Sequence, residues 1–437
     1  MRTSNAAICA AVALAAAALS GCGNPASTST FEPPASTSQS TAAAASGVGA
    51  WRHIARYHPI LLDSLGGSVS FAINIQDSGE ASGTSLLIGN SALHAQAWVH
   101  PPKTIDLGTL GGTNSAIFQY NHGRAGNFVG WSETSNADPY AENYCGFGTT
   151  AICRGFYWRH GKMTALPSLG GNNDQANDIN WRGQIAGDSE TTTQDASCNP
   201  PQVFDFLAVI WQSNGTITTL PPYPGDTVSY AYTLDQLGRN AVGNSGPCAA
   251  STEHAVLWHD ASSPIDLGSL GGSVNIALDI NDWGQVIGNS SLYGNATTHA
   301  FLWQNGTMSD LGTLPGDVDS FAGGINDWGQ IVGQSCNASG ACRGFYWQKG
   351  SMYDLNTLVP PGKGLNIPFA SNINDRGEIS AATVNTQSIE QALLLIPHGW
   401  TSVAPHRGSV PVFTPRLVNA RQSMHARYWD LRSRFQP

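Results

Sequence analysis

Charge is scarce in this chain. Only 11% of its 437 residues are Asp, Glu, Lys or Arg, far from the alanine-, glutamate- and lysine-rich composition of helical proteins. Positive charge is scarcer still, with 20 Lys and Arg against 30 Asp and Glu and a net of −10. A phosphate backbone is bound by clustered Lys and Arg, so nucleic acid is excluded as the main partner; an acidic surface mostly serves solubility. Chemistry-bearing spacings are missing too. No CxxC, HExxH, His-x-His or Ser-His-Asp order stands out, which leaves a zinc site or an activated nucleophile without support. His100, His160, His254, His259 and His299 sit at the edges of a recurring Trp-bearing run rather than in a constellation. No cofactor and no metal are expected.

What the chain does have is glycine and repetition. Its 49 Gly and 24 Pro recur at fixed positions between short apolar runs, so they punctuate a fold and do not make a disordered tract. Residues 299–333, HAFLWQNGTMSDLGTLPGDVDSFAGGINDWGQIVG, show the unit. Asn305-Gly306 suits a two-residue hairpin, because both residues tolerate positive φ. Asp327-Trp328-Gly329 closes a second hairpin with Gly329 in the left-handed position of a three-residue loop. The Trp run returns at Trp51, Trp98, Trp158, Trp211, Trp258, Trp303 and Trp347, 44 to 60 residues apart, and the ALLLI run around Leu395 is a Trp-less eighth instance. The AxxIN run starts at Ala72, Ala116, Ala176, Ala231, Ala277, Ala322 and Ala370, which makes seven copies, the second departing most through extra residues in its turn.

Four strands repeated at this period predict a propeller; a helical solenoid would show a 3.6-residue period and a β-helix a shorter repeat. The link from the LG(S/T)LGG run to the next Ala is nearly constant, which suits a blade-to-blade crossover, whereas the loop before the Trp run varies. The expected fold is therefore all-β: a seven-bladed β-propeller of four-stranded antiparallel blades over residues 50–399, closed by N- and C-terminal strands in one mixed blade. The AxxIN strands lie innermost, the LG(S/T)L strands outermost, and the variable loops share one face. ALLLI and the Trp51 strand compete for one place in the closing blade. The recurring Trp residues, in register at a strand end, read as packing between blades.

The N-terminus carries an address. Arg2, an apolar run at 6–19 and Leu19-Ser20-Gly21-Cys22 resemble a bacterial lipoprotein signal, with the apolar run too short to span a bilayer comfortably. The resemblance implies cleavage after residue 21, lipidation of Cys22 and a membrane anchor. Gly23, and not Asp, follows the cysteine, and by resemblance to outer-membrane lipoproteins this implies the outer membrane if the cell has one. Residues 22–49, rich in Ser, Thr, Ala and Pro, are expected as a flexible tether. Six cysteines remain: Cys145, Cys153, Cys198, Cys248, Cys336 and Cys342, all in the variable loops. An even count in exposed loops outside the cytoplasm reads as disulfides, Cys145 with Cys153, Cys336 with Cys342 and Cys198 with Cys248; a metal site is the weaker alternative. Residues 400–437 break the pattern with six Arg and one acid after residue 400. Met424, Tyr428, Leu431 and Phe435 space as one face of a short helix, and docking on the propeller or on an anionic surface both remain open.

AFLWQNGTMSDLGTLPG followed by GINDWGQIVG resembles the HAF-repeat family of predicted extracellular bacterial proteins, and the match covers all the repeats. The resemblance implies secretion or surface anchoring and a propeller, and brings no catalytic residues with it. The Asn and Asp residues of the DWG turns suit turn chemistry more than calcium. Trp181, Trp283 and Trp328, at hairpin tips, either fold back on their neighbours or stand exposed as contacts for a ligand. Asp138, Glu142, Asp188, Glu190 and Asp195 fall in the long loops of the second and third copies. The favoured function is a surface-anchored, monomeric, non-catalytic binding module for protein or glycan. The alternative is an extracellular polymer-degrading hydrolase or lyase, working in the channel or in those long loops.

Overall fold

Each short run pairs with the next because the turn between them is written in its own residues. Asn305 and Gly306 both take positive φ, at 52° and 78°, and Gly329 takes 65°. The structure is a computed structural model that describes residues 52–118, 120–249, 252–361, 364–384 and 390–403. Its described strands form seven four-stranded antiparallel sheets. The signal segment, Cys22, the tether, Trp51 and the tail beyond residue 403 lie outside the described residues. In the blade that best shows the unit, Gly271–Ile280 is innermost, followed by Val286–Leu292, Thr298–Gln304 and the outer Thr307–Asp310. Blades 1 to 7 begin with the inner strands at Gly66, Gly111, Asp174, Val228, Gly271, Asp319 and Asn366.

Two expectations are corrected. ALLLI and the N-terminal strand do not compete: Glu390–Val403 is the third strand of blade 7 and Arg52–Leu61 its outer fourth. Trp51 aligns the N-terminal strand with the third strands, but this strand takes the outer place left empty once the last inner hairpin and its partner are made. The LG(S/T)LGG runs are not outer strands either. In blade 1 the outer strand reaches Gly108, but in blade 4 it ends at Asp266, where Gly268, at φ 85°, turns the chain into the crossover and Gly271, at φ 111°, opens the next inner strand.

Serines hold that crossover at constant length. Ser85, Ser132, Ser189, Ser245, Ser290 and Ser335 in the second strands each accept the N–H of a crossover residue, at 2.8–3.1 Å, as Leu270 donates to Ser290. The recurring Trp residues pack between blades as expected. Trp98, Trp211 and Trp258 are buried, and their indole N–H groups reach the carbonyls of Asp63, Pro167 and Pro221 in the preceding crossover. The three disulfides join Cys145 to Cys153, Cys198 to Cys248 and Cys336 to Cys342, in the loops between second and third strands on one face. The hairpin tips occupy the other face.

Candidate functional site

Six inner strands carry a β-bulge two residues before their end, between Ala277 and Asp279 in blade 5 and equivalently in blades 1, 3, 4, 6 and 7. The bulge aims the residue after it across the blades: Asp178 accepts the N–H groups of His122 and Leu234, and Asp279 that of Ile325. Among the described residues blade 2 shows no such bulge, its paired stretch ending at Ala116. Its longer segment, the one departing most from the repeat, places Tyr120 and His122 in the channel instead. The Tyr120 hydroxyl donates to the Gly323 carbonyl of blade 6, and its ring stacks on His122 at 5.5 Å.

His122 lies with Nδ1 3.3 Å from Asp178 and Nε2 3.9 Å from Asp279, both carboxylates fully buried. Burial alone would lower its pKa, but Asp178 and then Asp279 outweigh burial and raise it to about 10. The imidazolium is thus the counter-charge of the axis near neutral pH, and the Asn372 side chain lies against it, with its amide nitrogen 3.3 Å from Nε2. Burial raises the Asp279 carboxyl to about 6, with His122 pulling the other way.

Above this plug the tips form a belt. Trp181 N–H donates to the Gln236 side chain, Gln236 N–H to Asp282, Asp282 N–H to Asp327, Asp327 N–H to Asp375 and Asp375 N–H to Asp77, each at 2.8–2.9 Å. A second belt runs beneath it, from the Asn281, Asn326 and Asn374 amides to the carbonyls of Asn326, Asn374 and Gln76. The Asn and Asp residues of the turns therefore join neighbouring blades, a role one repeat viewed alone does not reveal. Burial, opposed in all three by a backbone donor and assisted by neighbouring carboxylates, leaves Asp282 and Asp327 raised and Asp375 at about 6. The mouth they surround encloses about 50 Å³, room for a few waters and not for a polymer.

The tips themselves stand out into solvent. Trp181, Leu237, Trp283 and Trp328 hold the same place in blades 3 to 6 and are 49%, 38%, 76% and 69% exposed, which overturns the reading that they fold back. Trp328 still donates its indole N–H to the Asp375 carbonyl at 2.8 Å, which fixes its ring. Between Trp283 and Trp328 runs an open groove of about 530 Å³, lined also by Gln285, Gln304, Trp347 and Lys349, a volume in the range of small-ligand sites. Leu237 was the member of this arc that the sequence hid, since no aromatic marks it.

The long-loop carboxylates come together on the opposite face, but inside the protein. Asp138, Glu142 and Glu190 all accept from the Asn173 amide nitrogen at 3.0–3.2 Å, and all are buried. Burial, then the proximity of Glu142, pushes Glu190 up to about 8; burial likewise raises Glu142. The Tyr144 hydroxyl donates to Asp188, and Asp195 stands apart from the trio. Glu142 also accepts the Val203 N–H, so the cluster ties the blade 2 loop to the blade 3 loop. Among the described residues the grouping nearest to a metal site is Asp195, Cys198, Asp205 and Cys248. Its sulfurs are spent in a disulfide, which leaves two carboxylates, with Asp205 raised to about 6 by burial and then by Asp195.

No family model matches the chain, and no curated protein matches it. Among solved structures it is similar to the β-propeller domain of the Trilobed protease from Pyrococcus furiosus, at 9% identity and a TM-score of 0.46 over 76% of this chain and 95% of that one. It is also similar to a puromycin-hydrolyzing peptidase of Mycobacterium tuberculosis (10%, TM-score 0.44, 83% and 57% covered) and to TolB from Acinetobacter baumannii (12%, 0.36, 70% and 76%). At such identities the likeness concerns the fold alone.

Proposed function

We propose that the chain is a lipid-anchored protein of the bacterial outer membrane whose propeller is a non-catalytic binding module, with the tip face taking an extracellular glycan. The observation that carries this reading is the pair Trp283 and Trp328, exposed in register on adjacent blades with a groove between them. Indole faces stack on the apolar faces of sugar rings, and the amides of Gln285 and Gln304, bonded to each other at 2.9 Å, offer donors and acceptors to hydroxyls. Anchoring through Cys22 is supported by the Leu19-Ser20-Gly21-Cys22 sequence. A hydrolase or lyase has less support. A substrate needs access to its acid and base, whereas the channel is filled by Tyr120 and His122 and the Asp138, Glu142 and Glu190 cluster is buried.

A glycan and secreted-protein binding screen of the mature chain, beside a W283A/W328A variant, tests this reading. Binding to a defined glycan class should weaken about tenfold or more in the variant, as for aromatic hot spots at interfaces. Unchanged binding removes the groove from the account, and binding to proteins alone replaces the glycan.

A further inference from the structure

Both ends of the propeller are carried off its tip face on one ribbon. Glu390–Val403 pairs with the second strand of blade 7 only as far as Leu395, which faces Ile379; from Ile396 to Val403 it pairs with the N-terminal strand alone. Those eight residues extend about 26 Å beyond the last pair at ~3.3 Å per residue. The chain then continues as residues 404–437, with six Arg and one acid.

The face below that exit matches the segment twice over. Asp77, Asp282, Asp327 and Asp375 surround the mouth, and the charges there are crowded. Burial first, and neighbouring carboxylates with it, raise three of the four against a backbone donor on each, with Arg239 offsetting part of the effect at Asp282 and His122 at Asp327. Guanidinium groups would relieve that crowding. Around the mouth lies the apolar arc of Trp181, Leu237, Trp283 and Trp328, facing a segment whose Met424, Tyr428, Leu431 and Phe435 make one apolar stripe if helical. Trp328 is bonded to Asp375 of blade 7, the blade from which the segment departs. Reach is ample, because 34 residues span ~50 Å even as a helix. An anionic bilayer would attract the same arginines, but the mouth carboxylates would repel it.

We propose that residues 404–437 dock across the tip face, with their apolar side on Trp283 and Trp328 and their arginines over the mouth carboxylates. Docking stands whether or not a glycan binds there; if one does, the segment competes with it for the groove.

Hydrogen exchange at the tips tests this on the mature full chain and two variants. R421Q/R427Q/R432Q/R434Q removes charge from the segment. D282N/D327N/D375N removes it from the mouth, while each Asn keeps the oxygen that accepts the neighbouring blade's N–H. At low ionic strength the amides of Trp283 and Trp328 should exchange about tenfold more slowly in the unaltered chain than in either variant, as several exposed ion pairs acting together would produce. The difference should close at high salt. Equal exchange in all three chains overturns the proposal, as does protection seen only when anionic vesicles are added.

Discussion

His122 is the residue on which the axis depends. It is the cation facing two fully buried carboxylates, Asp178 and Asp279, and removing one partner from such a group leaves charge buried without compensation. His122→Leu should therefore lower stability by ~3–5 kcal/mol near neutral pH, read as an earlier urea midpoint, with a smaller loss at pH 5, where Asp279, raised to about 6 by burial, can take up a proton. An unchanged midpoint would show that the trio is not held by charge. Little of this was legible in the sequence. Asp178 and Asp279 stand where other copies have Asn74, Thr233 or Gly324, and only the closed ring brings them to the histidine of an aberrant copy. The glycine of the QIVG runs shows the opposite case, in which sequence and space agree: a Cβ on Gly288 would lie 2.0 Å from the Ile276 carbonyl oxygen. Its recurrence in blades 1 to 6 follows from that close approach of the inner-strand carbonyl, which Gly130 of blade 2 meets too, although blade 7 carries Ala381 there.

Among the elements, the loops between second and third strands differ in what their disulfides join. Cys145–Cys153 spans 8 residues within one loop, whereas Cys198–Cys248 spans 50 and links blades 3 and 4. If loop-closure entropy governs, Cys198→Ser with Cys248→Ser should cost ~4 kcal/mol and the Cys145, Cys153 pair ~2–3 kcal/mol. Thermal unfolding of the two double variants compares them, and an equal or reversed order would argue against an entropic origin. These pairings were readable because all six cysteines occupy equivalent loops. Strand order was readable for a similar reason, since hairpin residues fix which runs are neighbours. The extent of the outer strands was not: two glycines at positive φ convert LGSLGG from strand to crossover, and alternation alone does not show it.

Across the whole molecule, an acidic protein keeps several carboxyls buried. Asp174 stands at about 7, Glu190 at about 8 and Asp279 at about 6, burial being the first cause in each. A folded-state pKa above the unfolded value means that the folded chain holds more protons between the two, so stability falls as pH rises. His122 adds stability that is complete below its ordinary value of 6.5 and is lost as pH climbs from there through about 10. Tm should therefore decline from pH 5 to pH 8, and Glu190→Gln should flatten that slope in a calorimetric series. A Tm that climbs over this range would contradict the burial of these acids. The fold was legible at this scale because repetition multiplies each weak strand signal sevenfold. The exposed arc and the buried acids were not, since both are set by which copies become neighbours in the ring.

The shared outer blade also sets an order of events. Arg52–Leu61 is synthesised first and finds its partner in Glu390–Val403, more than 300 residues later, which at roughly 5–20 residues per second is a delay of tens of seconds on the ribosome. For that interval the opening strand has an unsatisfied edge of the kind that invites aggregation. Completion of the circle therefore waits for the last blade, and until Glu390–Val403 is made the ring stays open at the place where it is later sealed.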